Sequence, residues 1–308
     1  MTAYLQERVL SGYDHGWLLR FLRPRAVTGV ETFDGDTYTR AVRIDRGLHV
    51  LTLERADAGF RARITPSTSR TTLQRIARTV TGADTDLAAF RAHVVDDSIL
   101  GPLAAAHPGV RLVRFADPFE GIVRAVLGQQ VSLAAAATTA ARLVLLLGEP
   151  GPSWNGPALR AFPSALAVAK ADGQLIRSVG LTRAKTAALR ECARAIVDGT
   201  LDLARLARLP GADAQTALCE RPGIGPWTAA YIRMRVLGDA DAFPASDLGV
   251  LKALRRIVGR DRLSARDAES IAEPWRPWRA LAAIHLWESL SALRNVPDAR
   301  KLGPSGAR

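Results

Sequence analysis

The chain is poor in cysteine: Cys192 and Cys219 are the only two among 308 residues. That excludes a disulfide scaffold, a four-cysteine zinc site and a four-cysteine iron–sulfur cluster. The five histidines are scattered and show no metal-ligand spacing. Lysine is scarce as well, with Lys170, Lys185, Lys252 and Lys301 the only four in a basic complement of 42. Long apolar runs are missing. The most apolar stretch, 131–148, contains Ser132, Thr138, Thr139 and Arg142 and reads as a buried helix rather than a membrane span. Glu7 and Arg8 stand where a signal peptide would need its apolar core. No nucleotide P-loop, GxSxG elbow or dinucleotide fingerprint occurs. A soluble cytoplasmic protein with no membrane partner is expected.

What is present points to a folded chain with an anionic partner. Hydrophobic residues make up 48% and charged residues 23%, which rules out wholesale disorder. At roughly 100–200 residues per domain, the length suggests two or three domains, enough to bury a sizeable core. The net charge of +12 and sequence pI near 10.8 favour a polyanion, most commonly nucleic acid. The bias toward arginine offers a purely compositional explanation of the same numbers. The excess is spread along the chain, +4 over residues 1–116 and +8 over 117–308, so composition marks no binding face.

Residues 30–65 contain three β-branched or alternating runs, Thr37–Ile44, His49–Leu53 and Phe60–Ile64, separated by the turn signals Asp34-Gly35-Asp36, Asp45-Arg46-Gly47 and Ala58-Gly59. This spacing predicts an antiparallel meander, preceded by a helix over Gly16–Phe21 and followed by one over Leu73–Val80 with Ser69 or Thr71 as cap. Residues 1–92 therefore read as an α+β domain, an antiparallel sheet with helices. From there the pattern is helical, with segments at Asp117–Leu127, Val131–Leu147, Arg183–Asp198, Ala212–Cys219, Pro226–Leu237, Leu248–Val258 and Trp278–Leu293 among others. Many short helices with short connections predict an all-α unit over 93–294. Residues 295–308, rich in Pro, Gly, Ala and charge, are expected to form a flexible tail.

The sharpest local feature is Cys219-Glu220-Arg221-Pro222-Gly223-Ile224-Gly225-Pro226-Trp227-Thr228. One helix ends, a tight turn follows, and proline opens the next helix where its missing N–H is no loss. Glycines in the turn allow a partner close to the main chain, and amides there converge on a site for a phosphate oxygen. An ordinary helix–helix turn would look the same in isolation. Trp227 and Tyr231, at i and i+4, share a helix face and form either a core stripe or a stacking wall for a base. Ser246 or Asp247 sits at an N-cap position ahead of a helix carrying Lys252, Arg255 and Arg256. Capping is the simple role. A carboxylate there is also held ionised, as a developing sugar cation requires opposite it. His285, on an otherwise apolar helix, reads as a hydrogen-bonded core residue.

The run Pro222-Gly223-Ile224-Gly225-Pro226-Trp227-Thr228-Ala229, followed twenty positions after Trp227 by Asp247, resembles the helix-hairpin-helix superfamily of DNA glycosylases, and within it the AlkA-type DNA-3-methyladenine glycosylase II family. Further blocks extend the resemblance over nearly the whole chain: Tyr13–Leu22, Arg25-Ala26-Val27 with Val30-Glu31, Ala105–Leu112, Ala125–Ser132, Trp275–Arg279 and His285-Leu286-Trp287. It implies a helical glycosylase core of two lobes with the active-site cleft between them. Asp247 falls on the family's essential aspartate. Trp227, Tyr231 and Trp287 fall on the aromatic walls of the base pocket, with Phe21 from the N-terminal domain. Gly223, Ile224, Gly225 and Thr228 fall on the DNA-gripping hairpin, and Gln130 stands where this family inserts a leucine wedge into the duplex.

The resemblance implies no required cofactor and a sodium or potassium ion held by the main-chain carbonyls of Cys219, Arg221 and Gly223. It implies a monomer acting on damaged double-stranded DNA, cytoplasmic and nucleoid-associated. The activity expected is excision of alkylated purines, of the 3-methyladenine and 7-methylguanine type, in base excision repair. Where related glycosylase/lyases carry a nucleophilic lysine, this chain has Trp227, which implies a monofunctional hydrolase of N-glycosyl bonds. A glycosylase/lyase of the same superfamily and a non-catalytic damaged-DNA-binding protein remain as alternatives.

Overall fold

The computed structural model describes residues 1–8, 13–45 and 47–294; the tail expected at 295–308 lies outside the described residues. Five strands form one antiparallel sheet in the order β1-β5-β4-β3-β2: β1 (Ala3–Arg8), β2 (Glu31–Asp34), β3 (Thr37–Ile44), β4 (Gly47–Ala56) and β5 (Gly59–Thr65). The expected meander is its centre, extended at each edge by a strand the residue pattern did not show. Register pairs Tyr38 with Leu53, Leu51 with Ile64 and Leu5 with Ala62. All six are buried, on the face that meets the helices. The other face is partly covered by Leu159 and Ala161, which pack on Ala41 and Val50.

Helices α1 (His15–Leu22), α2 (Arg70–Thr81), α3 (Leu87–Val94) and α4 (Leu100–Ala106) accompany the sheet. Ser69, not Thr71, caps α2, its Oγ accepting from Thr72 N at 3.1 Å. The boundary expected at 92/93 falls inside α3, whose Phe90 and Val94 join the same buried cluster as the sheet. That cluster continues into the last helices, α13 (Leu248–Val258), α14 (Ala265–Ala272) and α15 (Arg279–Arg294), through Leu254, Ala272 and Leu286, with Trp275 in the turn after α14.

A second cluster gathers the central helices α5 (Pro118–Leu127), α6 (Leu133–Leu147), α7 (Ala165–Lys170), α8 (Gly173–Arg177), α9 (Arg183–Val197), α10 (Leu203–Leu206), α11 (Gly211–Cys219) and α12 (Pro226–Ile232). Helix α6 starts two residues later than the apolar run suggests, because Ser132 caps it with Oγ on Ala135 N. The helix expected over 226–237 divides: α12 passes at Arg233 into a π-helical turn ending at Leu237. Tyr231 packs against both clusters, so the seam between them runs through it.

A buried ionic knot joins sheet to helix α5. Arg124 contacts Glu31 at 2.9 Å and Glu120 at 2.8 Å, and Arg40 contacts Glu120 and, at 3.6 Å, Glu31. Burial opposes charge on all of them. The pairing outweighs it, holding the Arg40 and Arg124 guanidiniums above their ordinary range and the Glu31 carboxyl below its own. Arg124 also donates to Arg25 O at 2.7 Å, tying the turn after α1 to the core.

Candidate active site

A cleft of about 1760 Å³ opens along the seam between the two clusters. Its chemistry centres on Asp247, which caps α13 by accepting from Val250 N at 2.9 Å. Of the two N-cap candidates, Asp247 is the one that caps. Trp227 donates its indole N–H to Asp247 Oδ2 at 2.8 Å, and Trp287 donates to Oδ1 at 2.8 Å. Both carboxylate oxygens are thus held by indole donors, which fix the orientation of the carboxylate.

The aromatic wall assembles from both lobes. Trp227 and Tyr231, one turn apart on α12, stack with centroids 5.5 Å apart and planes inclined 27°. Trp287 of α15 lies 6.4 Å from Tyr231. Gly249 makes this approach feasible, since a Cβ there would sit 3.0 Å from both Trp287 Cδ1 and Asp247 Oδ1. Its role was invisible in sequence, because the ring it admits comes from a distant helix.

Phe21 is the departure. Its ring is 3% exposed, and the Arg25 guanidinium lies over it with 3.9 Å to the centroid. Arg25, not Phe21, faces the cleft at this point. An apolar side chain on α1 gains more by joining the core, and the arginine four residues onward caps it. Burial, then the neighbouring Arg235, lower the Arg25 guanidinium to about 10. Arg235, itself buried, lies among Phe21, Phe115 and Tyr231 at 5.2, 4.9 and 5.7 Å. Neither arginine was singled out from the residue pattern.

The hairpin between α11 and α12 folds as expected from its residues. Ile224 N returns to Arg221 O at 3.0 Å, and Pro226 opens α12. Gly223 has φ +79°, and a Cβ on it would fall 2.5 Å from the Ala188 Cβ of α9. Gly223 and Gly225 are exposed. The side chains of Ile224 and Thr228, expected at the DNA surface, are buried instead. Ile224 anchors the turn in the second cluster, and the Thr228 hydroxyl accepts from Gln129 Nε2 at 2.9 Å. Only main-chain groups of these two residues can serve a partner. The carbonyls of Arg221 and Gly223 accept from Ile224 N and Gln129 Nε2, each leaving a second lone pair for an ion.

Gln130 is exposed at the cleft, in the loop between α5 and α6, with φ +56°. His285 is buried and stacked on Phe90 at 5.2 Å, and burial, then His107 and Arg91, push its imidazole down to about 3. It stays neutral in the core, away from the cleft. Among the described residues, no cluster of His, Cys, Asp or Glu could hold a metal ion. No described helix is long and apolar enough to cross a membrane.

Residues 5–117 match the AlkA N-terminal domain family, and residues 123–277 match the HhH-GPD superfamily of base excision DNA repair proteins. The chain is 33% identical over 278 residues to DNA-3-methyladenine glycosylase 2 of Escherichia coli (strain K12), covering 89% of this chain and 93% of that protein. It is 35% identical to a probable bifunctional transcriptional activator/DNA repair enzyme AlkA of Mycobacterium tuberculosis (strain ATCC 25618 / H37Rv) over 87% of this chain. The match spans about half, 53%, of that longer relative. In fold, the chain is similar to the 3-methyladenine DNA-glycosylase from Archaeoglobus fulgidus, with TM-score 0.83 and 22% identity over 96% of this chain and all of the other.

Proposed function

The chain belongs to the HhH-GPD superfamily of base excision DNA repair proteins, and on that premise we propose that it is a monofunctional DNA glycosylase releasing alkylated purines from duplex DNA. The observation that carries this reading is the Asp247 carboxylate, fixed by two indole N–H groups beside the stacked rings of Trp227 and Tyr231.

The target base lies inside a duplex and must first be flipped out, at a cost of a few kcal/mol that is least for damaged pairs. Main-chain amides of the hairpin hold a phosphate. A Cβ on Gly225 would meet nothing within 4 Å, so the fold itself leaves that backbone open to a close partner. Gln130 fills the gap left in the stack. Stacking in the aromatic cleft is worth about 1–3 kcal/mol per base. An N3- or N7-alkylated purine is cationic, adding a cation–π attraction that a normal base lacks. Such a base departs as a neutral molecule when the N-glycosidic bond breaks, without a general acid. Asp247 stabilises the oxocarbenium-like sugar, and water adds to C1′ with loss of a proton. A single carboxylate therefore suffices, and Trp227 supplies no amine for a Schiff base.

A sodium or potassium ion would be held by the main-chain carbonyls of Cys219, Arg221 and Gly223, and would there lend positive charge to the phosphate clamp. No cofactor enters the hydrolysis itself. We take it to act as a monomer, in the cytoplasm with the nucleoid.

The test is release of base from methylated duplex DNA by wild type and Asp247→Asn. Asparagine caps a helix as well as aspartate, so the variant keeps its fold while losing the charge. Activity in the wild type alone is expected; an inactive wild type or a fully active variant overturns the reading. Borohydride trapping on abasic DNA is expected to give no covalent adduct.

A further inference from the structure

The loop that carries Gln130 is held on two sides. Lys185, in the first turn of α9, donates from Nζ to Leu127 O at 3.1 Å and to Gln129 O at 2.7 Å. Leu127 ends α5, so the ammonium also sits at the negative pole of that helix. From the other side, Gln129 Nε2 spans to the hairpin, donating to Gly223 O and Thr228 Oγ1, both at 2.9 Å. One turn beyond Lys185, Ala188 is the seat on which Gly223 packs. Helix α9 thus touches both loops, and Gln129 joins the two loops directly.

This arrangement explains how Gln130 is kept at φ +56°. A left-handed conformation at a residue other than glycine persists where its surroundings over-determine it. The neighbouring backbone on its N-terminal side is fixed by Lys185 and Gln129, and Ser132 begins α6 two residues later. The apolar stem of Lys185 is partly buried while its charge serves only main-chain oxygens; no carboxylate pairs with it among the described contacts. A lysine spent on two carbonyls of one loop is placed to hold that loop's shape.

We propose that Lys185 is a positioning residue for base flipping: through the carbonyls of Leu127 and Gln129 it sets the distance between the loop bearing Gln130 and the phosphate-gripping hairpin. The inference rests on the glycosylase reading above. With that distance fixed in advance, Gln130 enters the stack without rearrangement of its loop. When Lys185 is removed, the loop retains Gln130 but presents it loosely, and extrusion of a paired base suffers first. A base that is already unpaired needs little help from the wedge.

The experiment measures single-turnover release of 7-methylguanine from two duplexes. In one the lesion is opposite cytosine; in the other it is opposite an abasic-site analogue. The readout is the ratio of the second rate to the first. For Lys185→Met this ratio is expected to rise about tenfold over wild type, because the lost step is extrusion from a paired stack. Lys185→Arg, which can still donate to both carbonyls, is expected to restore most of the wild-type ratio. A structural defect would lower both rates together and leave the ratio unchanged, and that result overturns the proposal. Should Lys185→Met fail to fold, Gln129→Met carries the same test, with a raised ratio expected and an unchanged one overturning it. Wild-type protein silent on both duplexes would instead refute the glycosylase reading itself.

Discussion

Trp227 donates its indole N–H to Asp247 Oδ2 across 2.8 Å, twenty residues along the chain. The ring that walls the cleft is therefore also a ligand of its carboxylate, and Trp287 repeats the arrangement on the other oxygen. Stacking and charge placement share the same side chains, so a change made to test one disturbs the other unless the ring is kept.

Replacement of Trp287 by phenylalanine keeps an aromatic wall and deletes the donor to Oδ1. A hydrogen bond to a charged group is worth about 1.5–3 kcal/mol. Single-turnover base release is expected to fall roughly ten- to hundredfold, with affinity for abasic duplex changed far less. Equal rates for variant and wild type would show that the indole N–H does not orient Asp247.

Gly223→Ala combines a backbone cost at φ +79° with a clash against Ala188. A loss of about 1–3 kcal/mol is expected in urea unfolding, together with weaker duplex binding. Adding Ala188→Gly removes the clash and leaves the backbone cost, so the double variant should recover only part of the loss. No recovery at all would mean that the contact with α9 is not what seats the hairpin.

In the ionic knot beneath the cleft, Glu120 serves both Arg40 and Arg124. Glu120→Gln leaves two buried guanidiniums sharing Glu31. Breaking a buried pair from one side costs about 3–5 kcal/mol, and urea unfolding at pH 7 should show a loss of that size. A loss under about 1 kcal/mol, the size of a surface ion pair, would mean that water reaches the knot.

His285 sets a pH dependence. Its imidazole is held near 3 when folded, against an ordinary value of 6.5. The unfolded chain therefore binds the proton more readily, and stability from this group is present above pH 6.5 and declines as pH falls toward 3. Between pH 7 and pH 5 the wild type should lose about 2 kcal/mol more than His285→Phe. Parallel pH profiles in urea unfolding would contradict the assignment.

How much of this was legible in the residues follows from how local each feature is. The shared face of Trp227 and Tyr231 and a cap at Ser246 or Asp247 are set within one helical turn, so spacing showed them, while leaving core stripe or base wall, and the choice of cap, open. The central strands were visible because turn signals bracket them. Strand β1 was not, since Ala3 and Leu5 find their places only by pairing with Ile64 and Ala62 far along the chain. Helices α3 and α4 are short, eight and seven residues, with too few turns for a period to show. Trp287 and Phe21 entered through family resemblance alone. Phe21 then proved to lie behind Arg25, because a pattern of apolar residues does not say which of two neighbours is outermost. The buried charges of Glu31, Arg40, Glu120 and Arg124 look like surface residues in sequence, and only their mutual pairing lets them be inside.

The apolar cluster shared by the sheet and the last helices has a consequence for the order in which the molecule can be made. Leu51 and Leu53 of β4 are covered together with Leu254, Trp275 and Leu286. During translation the sheet emerges long before those residues exist, so the cluster it belongs to is still incomplete. The central helices need no such wait, for their cluster is complete once Ile232 has emerged. The first domain's cluster is therefore finished only when the last helices arrive, and an interval with apolar surface uncovered is when aggregation threatens and a holding chaperone is useful.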